Sequence, residues 1–308
     1  MSRWCEADIP DQSGRTVVVT GASSGLGLQT AAVLAGHGAT VLLACRDPYR
    51  GQAALDRVRS AAGADATLVQ LDLADLSSVH KAADEVRAIT GDRLDVLVNN
   101  AGVMASPSRR TTDGFELQIG TNHLGHAALT WLLAPALVPR ARVVTVSSLA
   151  HRGDELDVDD LNFTQRRYHP GAAYSASKLA NLLFTFELGR RARATGRNLI
   201  SVAAHPGITG TELVRNTVRM YLPDPFAKLA SWGSKLISQG VAAGALPQLY
   251  AATAADVRSG EYFGPTGPGQ TRGAPGRVTA SPAAYDQHTA RRLWERTVEL
   301  TGVTPDPA

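Results

Sequence analysis

The sequence predicts an α/β domain of the doubly wound kind, a mainly parallel sheet with helices on both faces. Three observations lead there. Short apolar, β-branched runs recur at Thr16–Thr20, Ala39–Ala44, Ala66–Leu71, Leu94–Val98, Ala141–Val146 and Leu199–Ala204. Stretches of helical periodicity separate them, the pattern of βαβ units. The runs are nearly continuous in apolar residues, so helices are expected to bury each strand on both faces.

Punctuation places the helices between them. One over 25–36 follows a Gly-rich turn and stops at Gly36-His37-Gly38; one over 76–89 has Asp75 as its N-cap and stops before Gly91. Two longer helices, over 122–138 and 173–194, flank the fifth strand. From Gly264 to Gly276 the sequence GPTGPGQTRGAPG carries no expected element, and Ser281-Pro282 opens a last helix ending near Gly302. Nine of the 16 prolines fall at or after Pro223, which makes the last third the loop-rich part.

Composition narrows the function classes. Of 308 residues, 44% are hydrophobic and 19% charged, which excludes a disordered, collagen-like or coiled-coil chain. The formal net charge is +3, but no basic run exceeds two residues, so no nucleic-acid surface is expected. Cys5 and Cys45 form no CxxC, and His123 and His126 have no third ligand type nearby; neither a disulfide framework nor a metal site is expected, and both histidines are read as packing residues. No segment reaches the ~18–20 apolar residues of a membrane span, and the first residues lack a signal-peptide core. A cytoplasmic protein is expected. Residues 1–14 are read as a tail and 15–308 as a single domain, with 151–173 and 211–239 on its substrate side.

Directly after the first strand comes Thr20-Gly21-Ala22-Ser23-Ser24-Gly25-Leu26-Gly27. A dinucleotide's pyrophosphate needs a tight turn, a backbone it can approach closely, and the free N–H groups of a helix N-terminus. Gly21, Gly25 and Gly27 meet those needs, in GxxxGxG spacing; no Lys-Ser/Thr follows, so this is not a P-loop. At the end of the second strand, neutral Cys45 stands where a carboxylate would bind a ribose 2′-hydroxyl, and Arg46 suits a 2′-phosphate. That pair favours NADP(H) over NAD(H), with Asp47 weighing slightly against. Among seven tyrosines only Tyr174 has a lysine, Lys178, four residues on, sharing one helix face. An ammonium there, together with the positive charge of oxidised nicotinamide, would lower the phenol's pKa from about 10 toward the range useful for proton transfer.

These residues resemble the short-chain dehydrogenase/reductase family, and the resemblance covers nearly the whole chain. It rests on Thr20–Gly27, Leu71-Asp72-Leu73, Asn99-Asn100-Ala101-Gly102, Thr121-Asn122-His123-Leu124-Gly125-His126, Val146-Ser147-Ser148, Tyr174-Ser175-Ala176-Ser177-Lys178 and His205-Pro206-Gly207. Ala44-Cys45-Arg46-Asp47, the run Thr121–His126 and the long segment between Ser148 and Tyr174 are similar to the retinol-dehydrogenase-like branch. The resemblance implies a nicotinamide-dependent oxidoreductase. Gly21, Ser23, Ser24, Gly25, Leu26, Gly27 and Arg46 would hold the phosphates, and Asp72 and Leu73 the adenine. Asn100, Ala101 and Gly102 would lie at the adenosine ribose, Lys178 and Tyr174 at the nicotinamide ribose, and Pro206 and Thr209 at the carboxamide. Tyr174 would be proton donor or acceptor, Ser148 would bind the substrate oxygen, and Asn122 would either support the lysine or simply cap its helix. Asp72 and Asn100 have structural readings too, as a helix cap and a strand end.

Residues Leu161, Phe163 and Tyr168 in one segment and Leu213, Met220, Tyr221, Leu222, Phe226 and Trp232 in the other either line a pocket for an apolar carbonyl or alcohol or cover the sheet. A non-catalytic NADP(H) sensor of the same fold is the alternative reading. A homo-oligomer paired through the two long helices is compatible with either.

Overall fold

Alternate residues of each apolar strand feed two different cores, and this is what forces a layered fold. In the computed structural model, which describes residues 4–62, 65–153, 156–209 and 239–306, β1 (Thr16–Thr20) pairs in parallel with β2 (Thr40–Cys45) and β4 (Leu94–Asn99), and β2 carries β3 (Ala66–Gln70). Beyond β4 lie β5 (Leu137–Val146), β6 (Ile200–Ala204), β7 (Tyr262–Pro265) and β8 (Pro275–Arg277). The order is β3-β2-β1-β4-β5-β6-β7-β8, with only β8 antiparallel among these strands. Val17 and Val19 enter one core with Leu34 and Leu249; Val18 enters the other with Leu97, Trp131 and Val143. Each fully buried Val or Leu contributes about 1.5–3 kcal/mol before chain entropy is set against it. The chain changes direction across the sheet between β3 and β4, which opens a crevice at the C-terminal ends of β1 and β4.

The expected doubly wound α/β fold is therefore present. Helices α1 (Gly25–Gly36), α2 (Pro48–Ala62) and α3 (Leu76–Thr90) connect the first four strands. Asp75 caps α3 by accepting from the amides of Ser77 and Ser78, and Gly91 closes it at φ 57°, as the sequence predicts.

Other elements differ from expectation. The helix expected over 122–138 is α4 (Leu117–Ile119), a π-turn (Gly120–Leu124) and α5 (Gly125–Leu133), followed by a 3₁₀ turn at Ala134–Ala136. Pro135, lacking an N–H, ends the α-helix early, and β5 begins at Leu137. Helix α6 (Pro170–Ala194) starts three residues ahead of the reading, with Pro170 in its first turn and the His169 side chain accepting from Ala172 N. The stretch 264–276, expected to be without an element, holds the end of β7, a 3₁₀ turn and the start of β8. Helix α7 (Val241–Thr253), where the sequence reading placed no element, packs on α1 despite Pro247 within it. Ser281-Pro282 opens only a 3₁₀ turn; α8 (Gln287–Thr301) follows, capped by Asp286 and closed by Gly302 at φ 66°.

The stretch ahead of β1 lies against the domain from Trp4 onward, with Ile9 in the core and the Trp4 ring edge-on to Tyr250. Helix α8 covers the α5–α6 face, setting Trp294 between Trp131 and Phe184. Among the described residues no helix is long and apolar enough to cross a membrane.

Candidate active site

The crevice is a cavity of about 460 Å3, and nearly all the site residues picked from the sequence line it: Gly21, Ser23, Ser24, Gly25, Leu26, Gly27, Arg46, Asp72, Leu73, Asn100, Ala101, Gly102, Ser148, Tyr174, Lys178, Pro206 and Thr209. Asn122 stands behind the wall rather than in it.

The glycine turn joins β1 to α1. Gly21 has φ 66°, a region that L side chains disfavour. A Cβ at Gly27 would collide with the carbonyl oxygen of Gly21 and with Nδ2 of Asn100, so only glycine lets α1 come this close to the strand. Ser24 makes no side-chain cap bond, so the first amides of α1 remain available to an anion. Asn100 holds the turn from below. Its Nδ2 donates to Thr20 O at 2.8 Å, and its backbone N–H donates to Thr20 Oγ1 at 2.9 Å.

Beyond β2, Arg46 is exposed on the cavity rim. Cys45, expected to face the ribose, points the other way. It is buried in the core, where desolvation raises its thiol pKa to about 11, and strand alternation leaves Ala44 and Arg46 at the cavity. Asp47 spends its carboxylate on the amides of Tyr49 and Arg50, capping α2. Arg50, which the sequence reading missed, also lines the rim; its spacing of four from Arg46 was the available signal. Past β3, Asp72 Oδ1 accepts from Ala74 N at 2.9 Å and does not cap α3, a task that belongs to Asp75.

The reacting end is assembled from β5 and α6. Ser148 follows β5, and Ser147 before it turns away, donating to the Lys178 carbonyl at 2.8 Å. Ser148 shares the cavity wall with the half-buried Tyr174, and its Oγ accepts from Ala150 N at 3.2 Å. Lys178, 4% exposed, donates from Nζ to Val146 O at 3.0 Å and stands 5.8 Å from the centroid of the Tyr174 ring. Burial pushes the Lys178 ammonium down to about 8.

Lys178 by itself does not lower the Tyr174 pKa. Burial raises the phenol's pKa, the polar Ser148 side chain works in the opposite direction, and the ammonium is directed at a carbonyl.

Asn122 is not an N-cap. It lies in the π-turn, where Oδ1 accepts from Val103 N at 2.8 Å while Nδ2 donates to Val103 O and to Ser177 Oγ, each at 2.9 Å. His123 contacts Thr297 Oγ1 at 2.9 Å, and His126 contacts Thr20 Oγ1 at 2.9 Å and Asn122 O at 3.0 Å. Both are packing residues, as the sequence predicts.

The cavity lining also includes apolar Val103, Met104, Leu149 and Ile208, none of them singled out from sequence. In the segment 151–173, Leu161 packs into the core beside Leu179 and Leu183, Phe163 packs against Tyr168 and under Arg166, and the Tyr168 hydroxyl donates to Ser106 O at 2.8 Å. No described residue of that segment lines the cavity. The segment 211–239 lies outside the described residues except for Gln239, which bridges to Thr209 and donates to Pro206 O.

Residues 15–222 match the family described as short chain dehydrogenase. Retinol dehydrogenase 12 from Homo sapiens is 40% identical, covering 94% of this chain and 87% of that protein; retinol dehydrogenase 13 from Homo sapiens is 41% identical, covering 97% and 87%. The crystal structure of an uncharacterized protein from Mycobacterium Paratuberculosis is 45% identical, with a TM-score of 0.81 over 98% of both chains. L-Sorbose reductase from Gluconobacter frateurii, solved in complex with NADPH and L-sorbose, shares the fold at 19% identity and a TM-score of 0.67, over 82% of this chain and 95% of that one.

Proposed function

The chain belongs to the short-chain dehydrogenase family, oxidoreductases that use a nicotinamide cofactor on CH–OH and C=O groups, and from that premise we propose that it is NADP(H)-dependent and interconverts an apolar carbonyl compound and its alcohol. One observation carries the reading. The half-buried Tyr174 and Ser148 line the wall of the same cavity that the glycine turn opens, with buried Lys178 one helical turn on from Tyr174.

The residues present fit the cofactor. The first amides of α1 and the backbone at Gly21–Gly27 would take the pyrophosphate, and Arg46 the 2′-phosphate. Asp72 and Leu73 would hold the adenine, Asn100, Ala101 and Gly102 the adenosine ribose, Tyr174 and Lys178 the nicotinamide ribose, and Pro206 and Thr209 the carboxamide. Bound nicotinamide supplies a hydride to the carbonyl carbon in reduction and takes it back in oxidation. Ser148 donates to the substrate oxygen and orients it. Tyr174 delivers its hydroxyl proton to that oxygen as negative charge develops there. Burial, by raising the Tyr174 pKa, keeps the phenol protonated and able to donate at neutral pH. Lys178 holds a positive charge beside the ring, and Asn122 keeps the loop at Val103 against α6.

Val103, Met104, Leu149 and Ile208 favour an apolar substrate, as do relatives named retinol dehydrogenases. A homo-oligomer paired through α5 and α6 would compete with α8 for one face, and sedimentation of the purified protein decides that point. The cytoplasmic placement is tested by cell fractionation. The function itself is tested by following NADPH absorbance with a panel of medium-chain and aromatic aldehydes, and NADP+ reduction with retinol. Turnover with at least one apolar substrate, and preference for NADPH over NADH, is the expected result. NADPH binding without turnover across the panel would instead identify the non-catalytic sensor.

A further inference from the structure

One part of the cavity wall is the loop leaving β4, and it holds a conformation its sequence does not favour. Val103 and Met104 of this loop line the cavity, while Ala105 sits at φ 47°, left-handed backbone that a Cβ disfavours. Such a residue persists only where its surroundings over-determine it.

Two amide side chains four residues apart do this, and they are built alike. Asn122 accepts from Val103 N and donates to Ser177 Oγ on α6. Gln118, fully buried, accepts on Oε1 from Ala105 N at 2.7 Å. Its Nε2 donates to the Pro170 carbonyl at 3.0 Å and to the Tyr168 hydroxyl at 3.0 Å. The Tyr168 hydroxyl in turn donates to Ser106 O at 2.8 Å, closing a ring of bonds through the loop, α4 and the segment before α6. Pro170 is the first residue of α6, one turn ahead of Tyr174. Gln118 itself does not line the cavity.

We propose that Gln118 is a positioning residue for the reaction: with Tyr168 as its partner, it sets the spacing between the Val103–Ser106 loop and the first turn of α6, and hence where a carbonyl carbon lies relative to Tyr174 and Ser148. This rests on the catalytic reading of Tyr174 and Ser148 given above. A buried amide with both ends satisfied has no slack, so its loss shifts both walls together.

The test uses the full chain with NADPH and nonanal. Gln118→Leu keeps the volume and removes three bonds, and Tyr168→Phe removes the hydroxyl alone. Gln118→Leu is expected to lower kcat roughly 10- to 100-fold and to raise KM for nonanal. Tyr168→Phe is expected to move both in the same sense by a few-fold, and both variants to hold the wild-type Kd for NADPH. Wild-type kcat and KM in the folded variants overturns the proposal, and so does an equal loss of NADPH affinity, the mark of general loosening. Should Gln118→Leu fail to fold, Tyr168→Phe decides on the same criteria.

Hydrogen exchange separates this inference from the catalytic reading. If wild type turns over no carbonyl, that reading fails, and the positioning claim still requires faster exchange at 103–106 and 168–172 in the variants with α1 unchanged. Unaltered exchange there overturns it.

Discussion

The two halves of the cavity are made by different means. Around β1 and α1 the site is backbone: a run of eight consecutive residues, Thr20–Gly27, supplies the turn, the close approach and the helix terminus. Beyond β4 the site is side chains carried in from far apart. Asn122 meets Ser177 across 55 residues, Gln118 meets Pro170 across 52, and Lys178 reaches Val146 across 32. Binding written in backbone leaves a contiguous mark on the sequence. Positioning written in buried side-chain hydrogen bonds leaves scattered Asn, Gln and Ser that look like any others.

If the halves are separable, damage to one should spare the other. A large effect is expected in the side-chain half: Ser148→Ala should cut turnover about 100- to 1000-fold, since it removes a donor to the developing oxyanion, while fluorescence titration finds NADPH affinity unchanged. In the backbone half, Gly27→Ala should do the reverse. Its methyl meets the Gly21 carbonyl and Asn100, so NADPH should bind about 10- to 100-fold more weakly, with kcat at saturating NADPH largely retained in the fraction that folds.

The same division governs how much could be read from sequence. The first six strands in chain order, the glycine turn, Ser148 and the Tyr174–Lys178 pair were all legible, because strand periodicity, glycine spacing and helical spacing are local signals. Strands β7 and β8 were not, because four and three residues with a proline at one end are too short for any period to show. Helix α7 carries Pro247 in its interior and no side-chain cap. Cys45 was placed on the wrong side of β2 because which alternate face meets the cofactor is settled by packing, here against the core around Leu43 and Leu68. Gln118 gave no signal: its meaning lies wholly in its three partners.

Smaller effects sharpen the boundary between the halves. Arg46→Ala should weaken NADPH roughly 10-fold, the loss of a charge-assisted bond at an exposed rim, and leave NADH unaffected; titrating both nucleotides checks it. At the seam, His126 of the side-chain half contacts Thr20 of the glycine turn. Burial holds His126 down to about 4 and His123 to about 3, whereas in the unfolded chain both titrate near 6.5. The unfolded state therefore takes up protons first as pH falls. Stability present above about pH 6.5 should be lost toward pH 4, at roughly 1.4 kcal/mol per pH unit for each histidine. Denaturant midpoints at pH 7 and pH 5 measure that slope, and His126→Gln should flatten it.

The most direct test of a backbone-built binding half joined to a side-chain-built reacting half is Tyr174→Phe, with NADPH affinity and carbonyl turnover measured on one preparation. The hydroxyl carries the proton while the ring keeps its place in the wall. Affinity should stay near wild type and turnover should fall roughly 1000-fold or more. Turnover that survives the loss of the hydroxyl, or NADPH binding that disappears with it, would contradict the account.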